Sequence, residues 1–398
     1  MSEIKVNSIK GVGASAAAIT VNNSDGTCTA NITNNLSNRN KVINGAMAVH
    51  QRASSVTGIT GSGYYTADRM QLVLANGGTW TNTISTDTPD GFADSYKLDC
   101  TTADASLGAD DLVVFRHVIE AQNLQDFAKG TSSAKSFTVS FYIKTNKTGT
   151  YVLELLDDAN SRQVSKSYTV SNTNWNRYTI TFPADTSGAI ANTNAAGLYV
   201  TFWLAAGTNW TSGTQQTSWG SITKANRVNG LNVNIADNTS NEWLITGIQL
   251  EVDNTGSGVA TDFEHRSFGQ ELALCQRYFY AHSGGNPTVN GSNSSTPDTV
   301  LGTGACQSTT SVSSDIQLPV PMRAVPTLYS TVTGSTRYRL NSAGANTNSG
   351  SDPVIWTGGS AHSFVQVDLA GFSGLSGGQA GTVRRYQGSG ILGFQAEL

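Results

Sequence analysis

The chain has 398 residues, which is more than one hydrophobic core usually serves, so we expect two or three domains. Charged residues make up 13% of the sequence, about half of the roughly 25% that is typical of soluble proteins. The net charge of −4, with no cluster of basic residues, argues against a nucleic-acid partner. Low charge combined with 41 glycines favours many short strands and turns over a helical protein.

Residues 1–40 are small and polar, and they contain two short alternating stretches. Ala18–Val21 and Thr27–Thr33 flank the sequence Asn-Asn-Ser-Asp-Gly, which predicts a hairpin turn. Because this segment has too few large apolar residues for a core, we expect it to dock on a partner or on copies of itself. The chain begins without the apolar run of a secretory signal, and no run approaches the ~20 apolar residues of a membrane helix. We therefore expect no membrane insertion.

Residues 41–265 contain repeated strand patterns separated by turn clusters. From Phe137 to Lys144 the odd positions are apolar and the even positions are polar or amphipathic, so one face of this strand should be buried. Arg177–Phe182 and Leu198–Leu204 alternate in the same way. Strands at this density predict an all-β jelly-roll sandwich, with further strands near 71–75, 95–100, 112–119, 151–156 and 243–252.

A helical pattern interrupts the strands between residues 266 and 284. Ser267–Arg277 has apolar residues at spacings of three and four and a serine at the N-cap position, which predicts a short helix linking two β domains. Residues 285–398 are again rich in Gly, Ser, Thr and Asn. Apolar segments at 363–369, 381–386 and 390–396 predict that this part forms a second, smaller β-sandwich.

The sequence contains no set of residues that predicts catalysis or a metal centre. The four cysteines lie far apart, so we expect buried reduced thiols rather than a metal cluster or a disulfide scaffold. Gly374–Gly378 fits the nucleophile motif G-x-S-x-G, but no histidine follows Ser376. Asp110–Asp111 and Asp157–Asp158 are acidic pairs of a kind that can bind calcium or cleave glycosides, yet such pairs are usually solvated. We expect no enzyme, no cofactor and no bound metal.

Three aromatic residues and one arginine form the candidate ligand-binding surface. Strand alternation turns Tyr142, Tyr199 and Trp203 away from the core, and we expect Arg116 beside them. Flat aromatic faces stack on sugar rings while nearby polar groups bind the hydroxyls, so these residues are the candidate glycan contacts. The same residue types are enriched in subunit interfaces, and an interface or a second core remains the alternative.

Two parts of the sequence resemble a known family. The first is Asn38–Arg52, which continues at Tyr65–Met70. The second is Gln249–Val252, which continues at Phe263–Phe279 with the sequence FEHRSFGQELALCQRYF. In these stretches the chain resembles the tail fibre proteins of bacteriophages of aquatic bacteria, such as cyanophages and pelagiphages. One departure is Met70, where the family usually has tryptophan.

The resemblance covers about residues 38–330, and it implies a sandwich like a carbohydrate-binding module, a linker and a terminal β domain. It also implies a virion protein that is made in the host cytoplasm and attaches to a host-surface polysaccharide. Residues 1–40 would then anchor it to other tail or virion proteins. Such fibres are commonly homotrimers, and multivalency suits weak sugar sites because it raises avidity. A capsid decoration or head-fibre protein and a glycan depolymerase remain alternative functions.

Overall fold

The computed structural model describes residues 6–10, 12, 19–21, 24, 28–30, 38–253, 258–284, 299–331, 337–342, 345–386 and 390–398. Within these ranges the strands form five sheets. The two α-helices of the described residues are short: α1 is Thr208–Thr211 and α2 is Phe268–Gln276. In this part of the chain no helix is long and apolar enough to cross a membrane. The prediction of an almost all-β fold is confirmed.

The N-terminal segment contains a small antiparallel sheet of β1 (Ser8–Ile9), β2 (Ile19–Val21) and β3 (Cys28–Ala30). Ile19 lies opposite Ala30 and Val21 opposite Cys28, so the two stretches predicted to form a hairpin do pair. Most of the turn between them lies outside the described residues. Val6 and Ile9 are 44% and 54% exposed, as expected for a segment without its own core.

The first sandwich contains thirteen strands among the described residues. They are β4 (Ser55–Ile59), β5 (Gly63–Tyr64), β6 (Met70–Ala75), β7 (Thr79–Ser85), β8 (Ser95–Thr102), β9 (Leu112–Glu120), β10 (Phe137–Thr145), β11 (Gly149–Asp157), β12 (Arg162–Val170), β13 (Asn176–Phe182), β14 (Ala196–Ala206), β15 (Gly220–Ser221) and β16 (Glu242–Val252). Six of them form an antiparallel sheet in the order β13-β10-β16-β8-β7-β4. The other seven form a second sheet in the order β15-β12-β11-β14-β9-β6-β5.

Alternate side chains of both sheets fill the space between them. In β10 the odd-numbered residues from Phe137 to Ile143 are fully buried, as the alternation predicts. The even-numbered residues from Leu198 to Leu204 in β14 are also fully buried and belong to the same core. Each large apolar side chain buried in this way contributes about 1.5–3 kcal/mol. The core therefore fixes which side chains remain on the outer face of each sheet.

A short capped helix follows the first sandwich. The Ser267 hydroxyl accepts a hydrogen bond from the Gln270 backbone amide, and the Gln270 side chain accepts one from the Ser267 amide. This reciprocal pair starts α2 at the predicted position. The predicted linker 266–284 is divided, however, because β17 (Phe279–Ser283) pairs with a strand near the end of the chain, Leu392–Gln395. The second half of the linker is thus part of the second sandwich.

The second sandwich has nine further strands among the described residues. They are β18 (Thr299–Cys306), β19 (Ser311–Gln317), β20 (Thr327–Ser330), β21 (Tyr338–Ser342), β22 (Ala345–Asn348), β23 (Val354–Ile355), β24 (Phe364–Ala370), β25 (Ala380–Arg385) and β26 (Leu392–Gln395). One sheet has the order β17-β26-β20 and the other β22-β21-β25-β18-β19-β24-β23. Their facing side chains form one core that is separate from the core of the first sandwich.

Candidate functional site

The structure divides the four predicted ligand-binding residues between two sheets. Arg116 on β9 lies directly opposite Thr201 on β14, between Tyr199 and Trp203 on the same strand. These three residues share the outer face of the seven-stranded sheet. Tyr142 lies on β10 in the six-stranded sheet. Because packed sheets are about 10 Å apart, the outer faces of the two sheets cannot hold one small ligand together. The prediction that all four residues belong to one binding surface is therefore wrong.

Trp203 faces outward from its sheet, but it is only 1% exposed. The segment 207–233 crosses this face and places Trp210 with its ring centre 5.3 Å from that of Trp203. The Trp203 indole N–H donates to Oε2 of Glu154 at 2.9 Å, and Arg227 donates two hydrogen bonds of 2.7 Å to the same carboxylate. Trp203 thus belongs to a second core, and its prediction as a solvent-facing glycan contact is wrong.

Arg116 and Tyr199 are half-buried on the uncovered part of this face. The guanidinium carbon of Arg116 lies 5.1 Å from the centre of the Tyr199 ring, and Arg116 Nε donates to Gln71 Oε1 at 2.6 Å. Partial burial lowers the pKa of Arg116. Within the described residues no carboxylate lies within ion-pair distance of this guanidinium, although Asp158 is close enough to influence it. We call Gln71, Arg116 and Tyr199 the cationic platform.

The cationic platform combines an aromatic ring with guanidinium donors. A guanidinium has five N–H donors, and Gln71 accepts only the one on Nε of Arg116. Within the described residues the terminal nitrogens have no hydrogen-bond partner, and such donors suit hydroxyl or carboxylate oxygens of a ligand. The ring and the planar guanidinium of Arg116 together offer a flat surface that suits a sugar ring.

Tyr142 occupies a similar but separate environment on the opposite sheet. Its ring lies 5.3 Å from that of Phe92, and the guanidinium of Arg177 lies 5.9 Å from its centre. Arg177 donates to the backbone carbonyl of Thr261 in the segment that leads to α2. Tyr142 and Arg177 are therefore a second arginine–tyrosine pair in the same sandwich, which makes them a natural control for the cationic platform.

Three of the four carboxylates in the two acidic pairs, those of Asp110, Asp111 and Asp157, are engaged with protein donors. Asp110 forms an ion pair with Lys224. Asp111 accepts hydrogen bonds of 2.6 Å from the Asn76 amide and from the backbone of Gly108. Asp157 lies in an ion pair with Lys129 and also accepts from Asn160. In the described part of the chain, no group of three or more His, Cys, Asp or Glu residues is arranged to hold a metal ion.

The two stretches that carry the family resemblance meet between the sandwiches. The Asn44 backbone amide donates to Oε1 of Glu271 in α2 at 2.6 Å. The side-chain amide of Gln51 donates to the Phe279 carbonyl at 2.7 Å. Gln51 also donates to the buried carboxylate of Asp68 at 2.6 Å. Burial raises the pKa of Asp68 to about 7, against the opposing influence of Arg52 and Gln51.

Buried ionisable side chains make up the centre of this contact. Arg69 is fully buried, pairs with Glu397, donates to the Val118 carbonyl at 2.6 Å and lies 3.6 Å from the centre of the Tyr278 ring. Glu120 is fully buried and accepts two hydrogen bonds from Arg277, at 2.6 and 3.0 Å, and one from the Tyr278 hydroxyl at 2.7 Å. We call this set the joint; its members are Arg52, Asp68, Arg69, Glu120, Arg277, Tyr278 and Glu397.

The sequence contains one signal for the joint. In a chain with only 13% charged residues, Arg69 directly precedes one apolar strand pattern and Glu120 ends another, and a lone charge at such a place needs a partner. Their partners come from the end of the second sandwich and from α2. The resembling motifs therefore mark the contact between domains.

The comparisons with known proteins give fold-level similarity. No curated protein sequence matches the chain. A family model described as CARDB matches residues 128–196, a small part of the first sandwich. A putative sugar binding protein from Bacteroides thetaiotaomicron is 10% identical over 54% of this chain and 100% of its own, with a TM-score of 0.27.

Two carbohydrate-binding modules are similar to the same limited extent. The family 11 module of a cellulosomal cellulase of Clostridium thermocellum is 12% identical over 54% of this chain and 98% of its own, with a TM-score of 0.26. A CBM4 structure is 10% identical over 53% of this chain and 99% of its own, with a TM-score of 0.27. At such values the ligand of this chain has to be inferred from its own residues.

Proposed function

We propose that this chain is a non-catalytic, glycan-binding tail fibre protein of a bacteriophage. The observation that carries the glycan-binding part is the cationic platform. Arg116 and Tyr199 are half-buried beside the part of this face that the segment 207–233 covers. Arg116 there lacks a carboxylate partner among the described residues, whereas Arg227 on the same face is neutralised by Glu154. A cation held against a ring in this way fits a polysaccharide that bears acidic groups.

The virion part of the proposal is supported by the resembling stretches and by where they lie. A fibre transmits load between its attachment to the particle and its contact with the host, so its domains have to be held firmly together. The joint fits this requirement because it connects the two sandwiches through charged groups that are nearly all buried. The exposed Val6 and Ile9 beside β1 and β2 suit an N-terminal segment that attaches to another virion protein.

Polysaccharide retention tests the glycan-binding part. Immobilised polysaccharide extracted from the host strain should retain the full chain. The substitutions Tyr199→Ala and Arg116→Ala should each weaken retention about tenfold, the equivalent of about 1.4 kcal/mol. Because both side chains lie half-buried on an outer face and outside the two cores of the first sandwich, the melting temperature should remain close to that of the parent protein.

The matched control is Tyr142→Ala, since Tyr142 pairs with Arg177 in the same sandwich but on the opposite sheet. This variant should be retained like the parent protein. If Tyr142→Ala loses retention and Tyr199→Ala keeps it, the ligand binds the six-stranded sheet and the assignment of the cationic platform is wrong. Binding that is unchanged in all three variants would also contradict the assignment.

The fibre part of the proposal includes a homotrimer. Three copies can cover the exposed apolar side chains of the N-terminal segment, and three cationic platforms raise avidity for a repeating polymer. Light scattering of the purified chain should give three times the monomer mass. A stable monomer at micromolar concentration would count against the trimer, while leaving the glycan-binding test unaffected.

A further inference from the structure

We propose that the outer face of the second sandwich is a separate carbohydrate-binding surface, centred on Trp356, that takes an uncharged glycan. This surface lies at the edge formed by β23, β24 and β19. It is built from other residues than the cationic platform and does not depend on it. We call Trp356, Phe364, Gln366, Asp368 and Ser313 the edge platform.

The first observation is an exposed tryptophan. Trp356 directly follows β23 and is 52% exposed, whereas Trp80, Trp203 and Trp243 of the first sandwich are buried. Phe364, at the start of β24, is 38% exposed, and Val354 is 64% exposed. Large apolar side chains grouped at one exposed place in this way mark a binding surface.

The second observation is that the orientation of the Trp356 ring is fixed. A Cβ atom on Gly359 would lie 2.5 Å from the ring carbon Cε3, and one on Gly358 would lie 3.3 Å from Cε2, so the ring packs closely on this glycine backbone. The Ser360 hydroxyl donates to the Trp356 carbonyl at 2.8 Å and accepts from the backbone amide of Gln366 at 3.0 Å. The turn is thereby tied to β24. A ring that is ordered before binding loses little entropy when a ligand stacks on it.

The third observation is the polar surface beside the ring. The Trp356 amide donates to the Gln366 carbonyl, which places the two residues opposite each other on neighbouring strands. Asp368 lies two residues further along β24. Its carboxylate accepts a hydrogen bond from the Ser313 hydroxyl at 2.6 Å and one from the side-chain amide of Gln366 at 3.3 Å. Amide, hydroxyl and carboxylate groups on a flat sheet are suited to sugar hydroxyls, which both donate and accept hydrogen bonds.

These neighbours favour a sugar over a protein partner. The core of a stable protein interface is apolar and depleted in charge, whereas the edge platform continues into polar side chains on β24 and β19. An aromatic ring bordered by hydrogen-bonding groups matches a sugar, which has an apolar C–H face and a polar rim. The two carboxylates of this region, Asp368 and Asp315, disfavour an acidic glycan. Asp315 lies directly opposite Gln366 and is exposed.

Affinity gel electrophoresis of the full chain tests this proposal. The gels contain neutral mixed-linkage β-glucan, mannan or dextran, and a further gel contains the acidic polymer alginate. We expect at least one neutral polymer to retard the parent protein, and Trp356→Ala to weaken that binding about tenfold because one stacked ring is lost. Trp356→Phe should retain most of the binding. Trp356→Ala should fold, as its melting temperature and light scattering will show.

Two matched variants separate the edge platform from other surfaces. Val354→Ala removes exposed apolar area from the same edge but no ring, and it should bind neutral polymer like the parent. Arg116→Ala removes the cation of the other platform and should not change binding to the neutral polymer either. The proposal is overturned if no neutral polymer retards the parent, or if Trp356→Ala binds as the parent does. Dissociation of an oligomer by Trp356→Ala would also overturn it, because the residue would then lie in a subunit interface.

Discussion

The two sandwiches differ in what happens to a tryptophan that strand alternation directs away from the core. In the first sandwich Trp203 is 1% exposed, because the segment 207–233 covers the outer face of its sheet. In the second sandwich Trp356 is 52% exposed at a bare sheet edge. The residue type and its direction are alike in both cases. The difference shows that a long connection between strands decides whether an outer face is a core or a surface.

The covered face and the bare face also differ in which charged side chains they carry and in how these are paired. Under the segment 207–233, Glu154 is fully buried, and its carboxylate receives hydrogen bonds from Trp203 and Arg227. This arrangement leaves Arg116 as the cation that faces outward without an acidic partner among the described residues. On the bare face of the second sandwich the charged group next to the aromatic ring is an acid, Asp368. The two surfaces should therefore select glycans of different charge.

Replacing Arg69 by methionine should cause the largest loss in the free energy of unfolding, because it removes a central member of the joint between the two sandwiches. The change leaves Glu397 without its main partner and removes the contact with Tyr278. Removing one member of a buried ion pair typically destabilises by about 3–5 kcal/mol. We expect calorimetry to show two transitions, one for each sandwich, where the parent shows one.

Lys97→Met is the control for Arg69→Met. Lys97 pairs with Asp99 and Glu242 at 2.9 Å, but its side chain is 26% exposed and lies far from the joint. Exposed pairs of this kind contribute about 0–1 kcal/mol. If Arg69→Met melts like Lys97→Met in a single transition, the joint does not couple the two sandwiches.

Local structure was predictable from the sequence wherever a pattern repeats within one element. The alternation in Phe137–Lys144 and Leu198–Leu204 identified both strands and their buried faces. The helix start at Ser267 was also correct, since a capping box requires only residues three positions apart. These features depend on neighbours in the chain, and no knowledge of the strand order is needed to find them.

The arrangement of the candidate site was not predictable in the same way. Alternation shows that Tyr142 and Tyr199 both point away from a core, but it does not show that their strands lie in different sheets. The burial of Trp203 depends on contacts with the later segment 207–233, whose path has no periodic signal. Trp356 was missed because it follows a strand of only two residues, too short for alternation to be recognised.

Smaller losses in the free energy of unfolding are expected when the same substitution is made in both sandwiches. This pair of variants is the sharpest test of the difference between the covered face and the bare edge. Trp203→Phe keeps a ring but removes the N–H that donates to the buried carboxylate of Glu154. Hydrogen bonds to charged groups contribute about 1.5–3 kcal/mol, and the smaller ring also leaves a cavity, so urea denaturation should show a loss of at least that size. Trp356→Phe should change the free energy of unfolding by no more than about 0.5 kcal/mol, as is usual for surface positions.

The buried Trp203→Phe also leaves a cavity, which the exposed Trp356→Phe does not, so the difference between the two losses reports the packing of each tryptophan together with the lost hydrogen bond. Arg227→Met in the Trp203→Phe background should be more damaging than in the parent, since Glu154 then loses its remaining partners. Equal losses for Trp203→Phe and Trp356→Phe would mean that the outer face of the first sandwich is not a second core in solution. Trp203 would then return to the candidate glycan contacts beside Arg116 and Tyr199.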